Sequence, residues 1–532
     1  MLSSQQTAIG ESPASATEAV CSIPVPPAVD LSRRNLGRLV AKNASANLVR
    51  LAGAGIVALL LPPFLVREMS KGAYGAWALL LQLTLYVSYF DFGIQTAVAR
   101  FVAHADELSD TEQRDEIVST ALVMLSGGAA LGGILILVMT WRLPSIFHQM
   151  PAGFYQSAQV ALLVMGGSFA LGLPATLVSA YFTGMQRNEV PAAIAIGNKV
   201  AMALLVVGVV LRHKGLAAMG AAVAVANIAS YAGAFAVWRK YASEVKIRLA
   251  LVSKSCLRLI GGYSATLMVW MAAMLMISGL DLVIVGIFDY KATAYYAIAA
   301  TLTTFLAQVQ GSIFAALLPA SAVLAARGDG ERLGRLLVSS TRYGMLILLA
   351  MAAPLVLGGH YILQLWAGAD YAAHATLILQ ILVIANVIRL CALPYSTLLL
   401  GTGQQNKVII SPLAEGVTNL ATSIAGAYLF GAVGVAIGTL IGAFVSVGLH
   451  LFYNMPRTAL IRFSRVRLVK DGVLRPLMCC APLIVLLPTR HAYLSLNISV
   501  SVLAAGMTVF AFWKYGLENR DREQLMDAIR LL

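Results

Sequence analysis

The phrase GMQRNEV, Gly184 to Val190, is a polar turn set between two long apolar runs, and 218 residues later the chain reads TGQQNKV, Thr402 to Val408. Gln186, Asn188 and Val190 recur as Gln404, Asn406 and Val408. A polar turn that returns at a long, fixed distance implies that the unit around it has been duplicated. The residues on either side define that unit.

The surroundings are apolar. Of 532 residues, 59% are hydrophobic and 12% charged, against roughly 25% charged in soluble domains. Runs such as Val200–Leu211 and Leu346–Leu357 extend into stretches of about 20 residues, the length that crosses a bilayer as a helix. The class is an all-α polytopic membrane protein. A net charge of +14 does not point to nucleic acid, because the charges sit in short loops between apolar spans. The five cysteines form no CxxC or Cys/His pattern, so neither a disulfide framework nor a metal site is indicated. Residues 1–44 read as a flexible tail, with no basic region followed by an apolar core that would mark a cleaved leader.

Hydropathy predicts fourteen helices, near 46–66, 73–100, 116–140, 157–183, 192–211, 216–238, 258–288, 293–325, 336–358, 373–401, 408–429, 431–453, 473–488 and 493–513. With the N-terminus inside, the inner segments hold 29 Lys and Arg and the outer loops 7. That bias places both termini in the cytoplasm. The two polar turns then both face the cytoplasm, joining helix 4 to 5 and helix 10 to 11. REMSKGAYGAWAL after helix 1 is matched by GIFDYKATAYYAIA after helix 7, and GLAAMGAAVA opening helix 6 by FGAVGVAIGT opening helix 12. The expected plan is an N-lobe of six helices (45–240), a cytoplasmic linker (241–257) and a C-lobe of six (258–453). A basic interfacial segment (454–472), a further helix pair (473–515) and a cytoplasmic tail (516–532) follow. Six crossings per lobe make the repeat a parallel one, with an axis along the membrane normal.

Polar groups at membrane depth are costly, and they face a cavity or a partner. Thr84, Ser88, Asp91 and Gln95 are spaced 4, 3, 4 on helix 2, and Thr301, Thr304, Gln308 and Ser312 share a face of helix 8. These spacings put each set on one helical face, at an offset of 217 between lobes. Both stripes are expected to line a hydrated cavity, the alternative being polar contacts between helices. Arg389 lies 12 residues before Gly401, roughly 18 Å from the helix end at about 1.5 Å per residue, with Asn386 on its face. A buried guanidinium suits a phosphate or carboxylate ligand, or else a fixed ion pair with Glu415 or Asp281. Lys199 lies about two turns into helix 5, and Glu415 shares a face with Ser411, Thr418 and Thr422. Asp281 and Arg50 lie near helix ends. Gly434, Gly438 and Gly442 recur every fourth residue, the spacing of close helix packing. No catalytic constellation emerges. GTGQQNK (Gly401–Lys407) lacks the GxxxxGK[ST] spacing of a phosphate loop, so no ATP motor is indicated. RFSRVRLVK (Arg462–Lys470) reads as an interfacial segment on anionic lipid.

LLLPPFLVREMSKGAYGAWALLLQLTLYVSYFDFGIQTAVARFVA (Leu59–Ala103), with Tyr74–Gly75 and Asp91–Gly93, and GLDLVIVGIFDYKATAYYAIAATL (Gly279–Leu302) resemble the polysaccharide-flippase branch of the superfamily that also holds the MATE multidrug exporters. The resemblance covers about residues 35–515. It implies a protein of the prokaryotic cytoplasmic membrane that is not an enzyme. Such a protein moves an undecaprenyl-pyrophosphate-linked oligosaccharide to the outer leaflet by alternating access, for surface polysaccharide synthesis. It implies no cofactor beyond coupling to an H+ or Na+ gradient. The implied partners are the lipid-linked substrate, membrane lipids, a polysaccharide polymerase and other glycan-assembly proteins. Arg389, Lys199 and Arg50 would then meet the pyrophosphate. Asp91 would bind sugar hydroxyls or carry a coupling proton, and Gln95, Gln308, Asn386, Glu415 and Asp281 would line the cavity. A cation-coupled exporter of small molecules, a lipid II flippase and a non-transporting scaffold of a glycan-assembly complex are the alternatives.

Overall fold

Backbone that crosses lipid must satisfy its own N–H and C=O groups, and helices do so within one segment. The computed structural model describes residues 53, 55–315, 317–404, 408–486 and 494–516, which hold helices and turns and no strand. Among these residues, ten helical stretches are long and apolar enough to cross a membrane. The chain is a multi-pass membrane protein.

Helix α1 covers 55–68. It is followed by α2 (Lys71–Glu107), α3 (Thr111–Ile146), α4 (Ala152–Gly184), α5 (Glu189–Leu211) and α6 (Leu216–Tyr241). The second half runs α7 (Lys254–Gly279), α8 (Tyr290–Ala326), α9 (Gly330–Leu357), α10 (Ala369–Gly401) and a last stretch, Ile410–Arg457. That last stretch is two helices. At Gly431 the backbone takes φ 58° and ψ −138°, a conformation open to glycine. The chain reverses there, and α11 (410–430) packs antiparallel on α12 (432–457). Gly434 faces Gly426, Gly438 faces Ser423 and Gly442 faces Asn419, so the stripe of glycines spaced by four is the seam of this hairpin. Short helical turns over 465–486 and the helix Leu494–Ala511 complete the described chain.

The duplicated turn is visible in the backbone. Gln186 (φ 57°) ends α4 and Gly403 (φ 70°) ends α10, both left-handed. Arg187 N–H reaches back to Phe182 O at 2.8 Å, and Gln404 N–H to Leu399 O at 2.9 Å. These are the long bonds of two Schellman caps. The equivalence Gln186–Gly403 gives an offset of 217, one less than the Gln, Asn and Val match, because the left-handed residue and not the side-chain identity sets the turn. Both helices also break at matching places. The α4 helix is interrupted between Gly172 and Thr176, beside Pro174, and α10 between Leu390 and Leu393, beside Pro394.

The close approaches are duplicated as well. A Cβ on Gly184 would lie 2.7 Å from Ala99 O in α2, and one on Gly401 would lie 2.7 Å from Leu318 O in α8. Gly401→Ala is therefore expected to cost about 1–3 kcal/mol by overpacking. Gly197→Ala, with nothing within 4 Å, should cost nothing measurable in the same thermal-stability assay.

One expectation fails in α2. The helix gives way to a 3-10 turn over Tyr86–Asp91, and Phe92 and Gly93 are left-handed. The 3.6-residue period does not carry through such a turn. Thr84 and Asp91 are buried, Gln95 is half-buried and Ser88 is exposed, so the four residues do not form one stripe. Asp91 instead accepts the Gln95 N–H at 3.4 Å, capping the second half of the helix.

The cores show how the lobes meet. One apolar core runs across both lobes, from Trp77, Leu80 and Leu162 to Ile298, Leu379 and Val435. Toward the end bearing the duplicated turns, the core divides. Val98, Ile117 and Phe182 lie in an N-lobe cluster that also takes Cys256 and Ile260 of α7. Leu333, Tyr395 and Leu398 lie in a separate C-lobe cluster. The lobes share one core at one end and divide into two clusters at the other, where α7 of the C-lobe still packs on the N-lobe.

Candidate functional site

The parted end frames the site. On α5, Ala192, Lys199, Val206 and Val210 share a face by spacings of 7, 7 and 4. Ala192, Val206 and Val210 are buried in the protein. Lys199 on the same inward stripe is exposed. The lipid side is elsewhere, at Ala193, Gly197, Leu204 and Leu211, all exposed. Lys199 makes no ion pair or hydrogen bond among the described residues. On α8, Thr304, Gln308 and Ser312 are exposed, and their neighbour Phe305 packs on α1, 3.0 Å from where a Cβ on Gly55 would be. Arg50 lies outside the described residues.

Arg389 is in an ion pair. Its Nε lies 2.6 Å from Glu415 Oε1, with the side chains 18% and 6% exposed. Of the two roles open to this guanidinium, the fixed pair with Glu415 is therefore formed. Its Nη2 is buried without a partner. Asn386 commits its amide N–H to Leu382 O at 2.9 Å, within its own helix.

Asp281 is buried nearby and accepts from Thr439 at 3.0 Å and Tyr296 at 3.3 Å. It stands just past a π turn, Leu275–Gly279, that interrupts α7. The carbonyls freed by that turn are taken up from both lobes. Asn419 donates to Met276 O and Ile277 O at 3.1 and 2.6 Å. From α2, Gln82 and Tyr86 donate to Gly279 O at 2.8 and 2.5 Å. Asp281 Oδ1 and Asn419 Oδ1 are buried and lack a donor.

Sequence reasoning missed Asn419, Thr439 and Tyr296. Only Asn419 carried a signal, since it lies four residues after Glu415 and so on its face. A second missed cluster sits in the N-lobe, where Asn198 donates to Asn227 at 3.0 Å and Asn227 to Ser168 at 3.0 Å.

The joined end is closed by bonds between lobes. Lys71 Nζ lies 2.8 Å from Asp370 Oδ1, a carboxylate that Tyr295 of its own lobe steadies by donating to Oδ2 at 2.8 Å. Tyr290 donates to Gly72 O at 2.9 Å, and Trp366 to Leu59 O at 2.9 Å. Lys71→Ala should leave thermal stability nearly unchanged, because exposed pairs contribute little. It should open this end more often. A cysteine placed at Ala294, buried beside Gly75, should then react faster with a thiol reagent; an unchanged rate would remove Lys71 from the closure.

Residues 40–324, more than half of the chain, match the family described as polysaccharide biosynthesis protein. The chain belongs to this family. No curated protein matches it by sequence. Among solved structures, the lipid II flippase MurJ in an inward closed conformation superposes with a TM-score of 0.66 at 13% identity, covering 89% of this chain and 99% of that one. An inward-facing multidrug resistance MATE transporter of the MOP superfamily gives 0.59 at 16%, covering 78% and 98%. A MOP superfamily transporter from Pyrococcus furiosus gives 0.53 at 14%, covering 80% and 96%. At such identities the likeness carries the fold. The chain's helical fold is the one these transporters share.

Proposed function

We propose that the protein flips a lipid-linked oligosaccharide, carried on undecaprenyl pyrophosphate, from the cytoplasmic to the outer leaflet of the prokaryotic cytoplasmic membrane. The carrying observation is Lys199, exposed on the buried stripe of α5 and without an ion pair among the described residues; in this reading its ammonium faces the space between the lobes. An ammonium in a confined polar space attracts a pyrophosphate and repels the cations that a multidrug exporter of cationic compounds would take. The Lys and Arg bias puts the parted end in the cytoplasm, so the conformation described is open to substrate from inside and latched outside.

In this reading the sugar headgroup sits between Lys199 and the Thr304, Gln308 and Ser312 face, while the lipid tail stays in the bilayer. Asp281 Oδ1 and Asn419 Oδ1 supply acceptors for a coupling proton or sodium ion. Rocking of the lobes breaks the Lys71–Asp370 closure and exposes the headgroup outside. A polymerase and other glycan-assembly proteins then receive it.

The test is complementation of a deletion strain, with lipid-linked oligosaccharide measured on the cytoplasmic side. Lys199→Ala is expected to accumulate normally in the membrane and to lower export at least tenfold, the equivalent of about 1.4 kcal/mol of lost headgroup interaction. Lys199→Arg is expected to retain most export. Full export by Lys199→Ala would defeat the reading.

A further inference from the structure

A cleft of about 1280 Å³ opens on the outer flank of the C-lobe, between the end of α12, the 465–486 turns and the end of the Leu494–Ala511 helix. It is larger than the roughly 300–1,000 Å³ of ordinary small-molecule pockets. Nothing from the N-lobe, α7, α8 or α10 lines it, so it is separate from the space that Lys199 faces. Its walls are apolar: Phe452, Val466, Leu474, Met478 and Pro482. Phe452 is 79% exposed, a side chain standing in the cleft rather than in a core.

The rim is cationic. Arg465, Lys470 and Arg475 line it, and none of the three is in an ion pair among the described residues. Arg465 donates to Leu451 O at 3.3 Å, and Arg475 to Tyr515 O. Both contacts are to carbonyls, which fix the guanidinium without neutralising it. The one acid on the rim, Asp471, is held by Arg467 at 3.5 Å. The segment itself is anchored: Arg462 N–H donates to Gly330 O at 3.0 Å, and Gly334 leaves room for the Arg462 carbonyl. Three cations with no ion pair among the described residues, above an apolar cleft at the basic end of the bundle, match the two halves of an anionic lipid. We propose that this cleft is a built binding site for an anionic phospholipid of the bilayer, with its phosphate on Arg465, Lys470 and Arg475 and its acyl chains along Phe452, Met478 and Pro482.

This inference does not depend on what the central space carries. Full-length protein, reconstituted without any lipid-linked sugar in phosphatidylcholine doped with phosphatidylglycerol, is returned to detergent, and the lipids that remain bound are weighed by mass spectrometry. Phosphatidylglycerol is expected to be enriched over phosphatidylcholine. Lys470→Gln should lower the enrichment about fivefold, and the triple change Arg465→Gln, Lys470→Gln, Arg475→Gln about 100-fold, at one step per surface cation. Lys470 is exposed, so the single variant remains informative if the triple one folds poorly. A photo-crosslinking residue in place of Phe452 should take up phospholipid mass. Equal retention of both lipids, unchanged enrichment in Lys470→Gln, or displacement of the lipid by inorganic phosphate alone would overturn the proposal. So would crosslinks to a second copy of this chain or to residues 517–532.

Discussion

Gly438→Val is expected to leave little folded protein in the membrane. Even a single Cβ at this position would lie 2.5 Å from Ser423 N and 2.6 Å from Ser423 Cα. Both are backbone atoms of the facing leg and cannot rotate away. The legs are also tied by Ser423 Oγ donating to Val435 O at 3.3 Å and Thr422 Oγ1 to Gly438 O at 3.3 Å. Without a hydrophobic drive between helices in lipid, close backbone approach is what holds such a pair together. Forcing the legs apart forfeits that packing along the whole seam, where Gly434 and Gly442 also sit. The cost should be about 3 kcal/mol or more, the upper end for overpacking. Gly208→Val on α5, with nothing within 4 Å, is the control. Thermal unfolding followed by size exclusion in detergent separates the two; a Gly438→Val protein as stable as the parent would mean that the hairpin seam is not close-packed.

Arg389→Ala is expected to fail for a reason that has nothing to do with substrate. Removing the guanidinium leaves Glu415, 6% exposed, as a buried carboxylate without its cation. Breaking one side of a buried pair costs about 3–5 kcal/mol. Arg389 also lies within electrostatic reach of Asp281, so its loss removes the cation from two buried acids. The double variant Arg389→Gln, Glu415→Gln buries no charge at the pair and should regain most of the stability. Whether the double variant also exports glycan then reports on transport alone. If Arg389→Ala accumulates and unfolds like the parent, the pair is not structural. Lys199→Ala makes the contrast, since an exposed ammonium with no ion pair among the described residues leaves no orphaned charge behind.

The two outcomes show how legibility divided. The hairpin seam was readable because four-residue glycine spacing is a property of one helix and needs no partner to be seen. The depth of Arg389 was readable by counting residues. Its partner was not, because Arg389 and Glu415 are 26 residues apart on different helices, and which of the nearby acids it meets depends on how α10 and α11 are rotated. The α2 stripe was misread since Phe92 and Gly93 turn left-handed in the middle of an otherwise helical pattern. The α8 spacing kept its meaning as geometry, since Thr301, Thr304, Gln308 and Ser312 lie on unbroken helix (Thr293–Phe314) and so share a face.

By itself the sequence determined that the chain is a helical membrane protein, that it contains two copies of one unit, and which end carries the basic loops. Those follow from composition, periodicity and loop charge, which are local sums. Only the tertiary structure decided that the lobes share a core at one end and divide at the other, that Arg389 is spent on Glu415 while Lys199 has no ion pair among the described residues, and that three rim cations gather over an apolar cleft. Each of these depends on how separate helices are placed and turned against one another. A break of one or two residues re-aims every side chain beyond it, and no pattern along a single helix records the new direction.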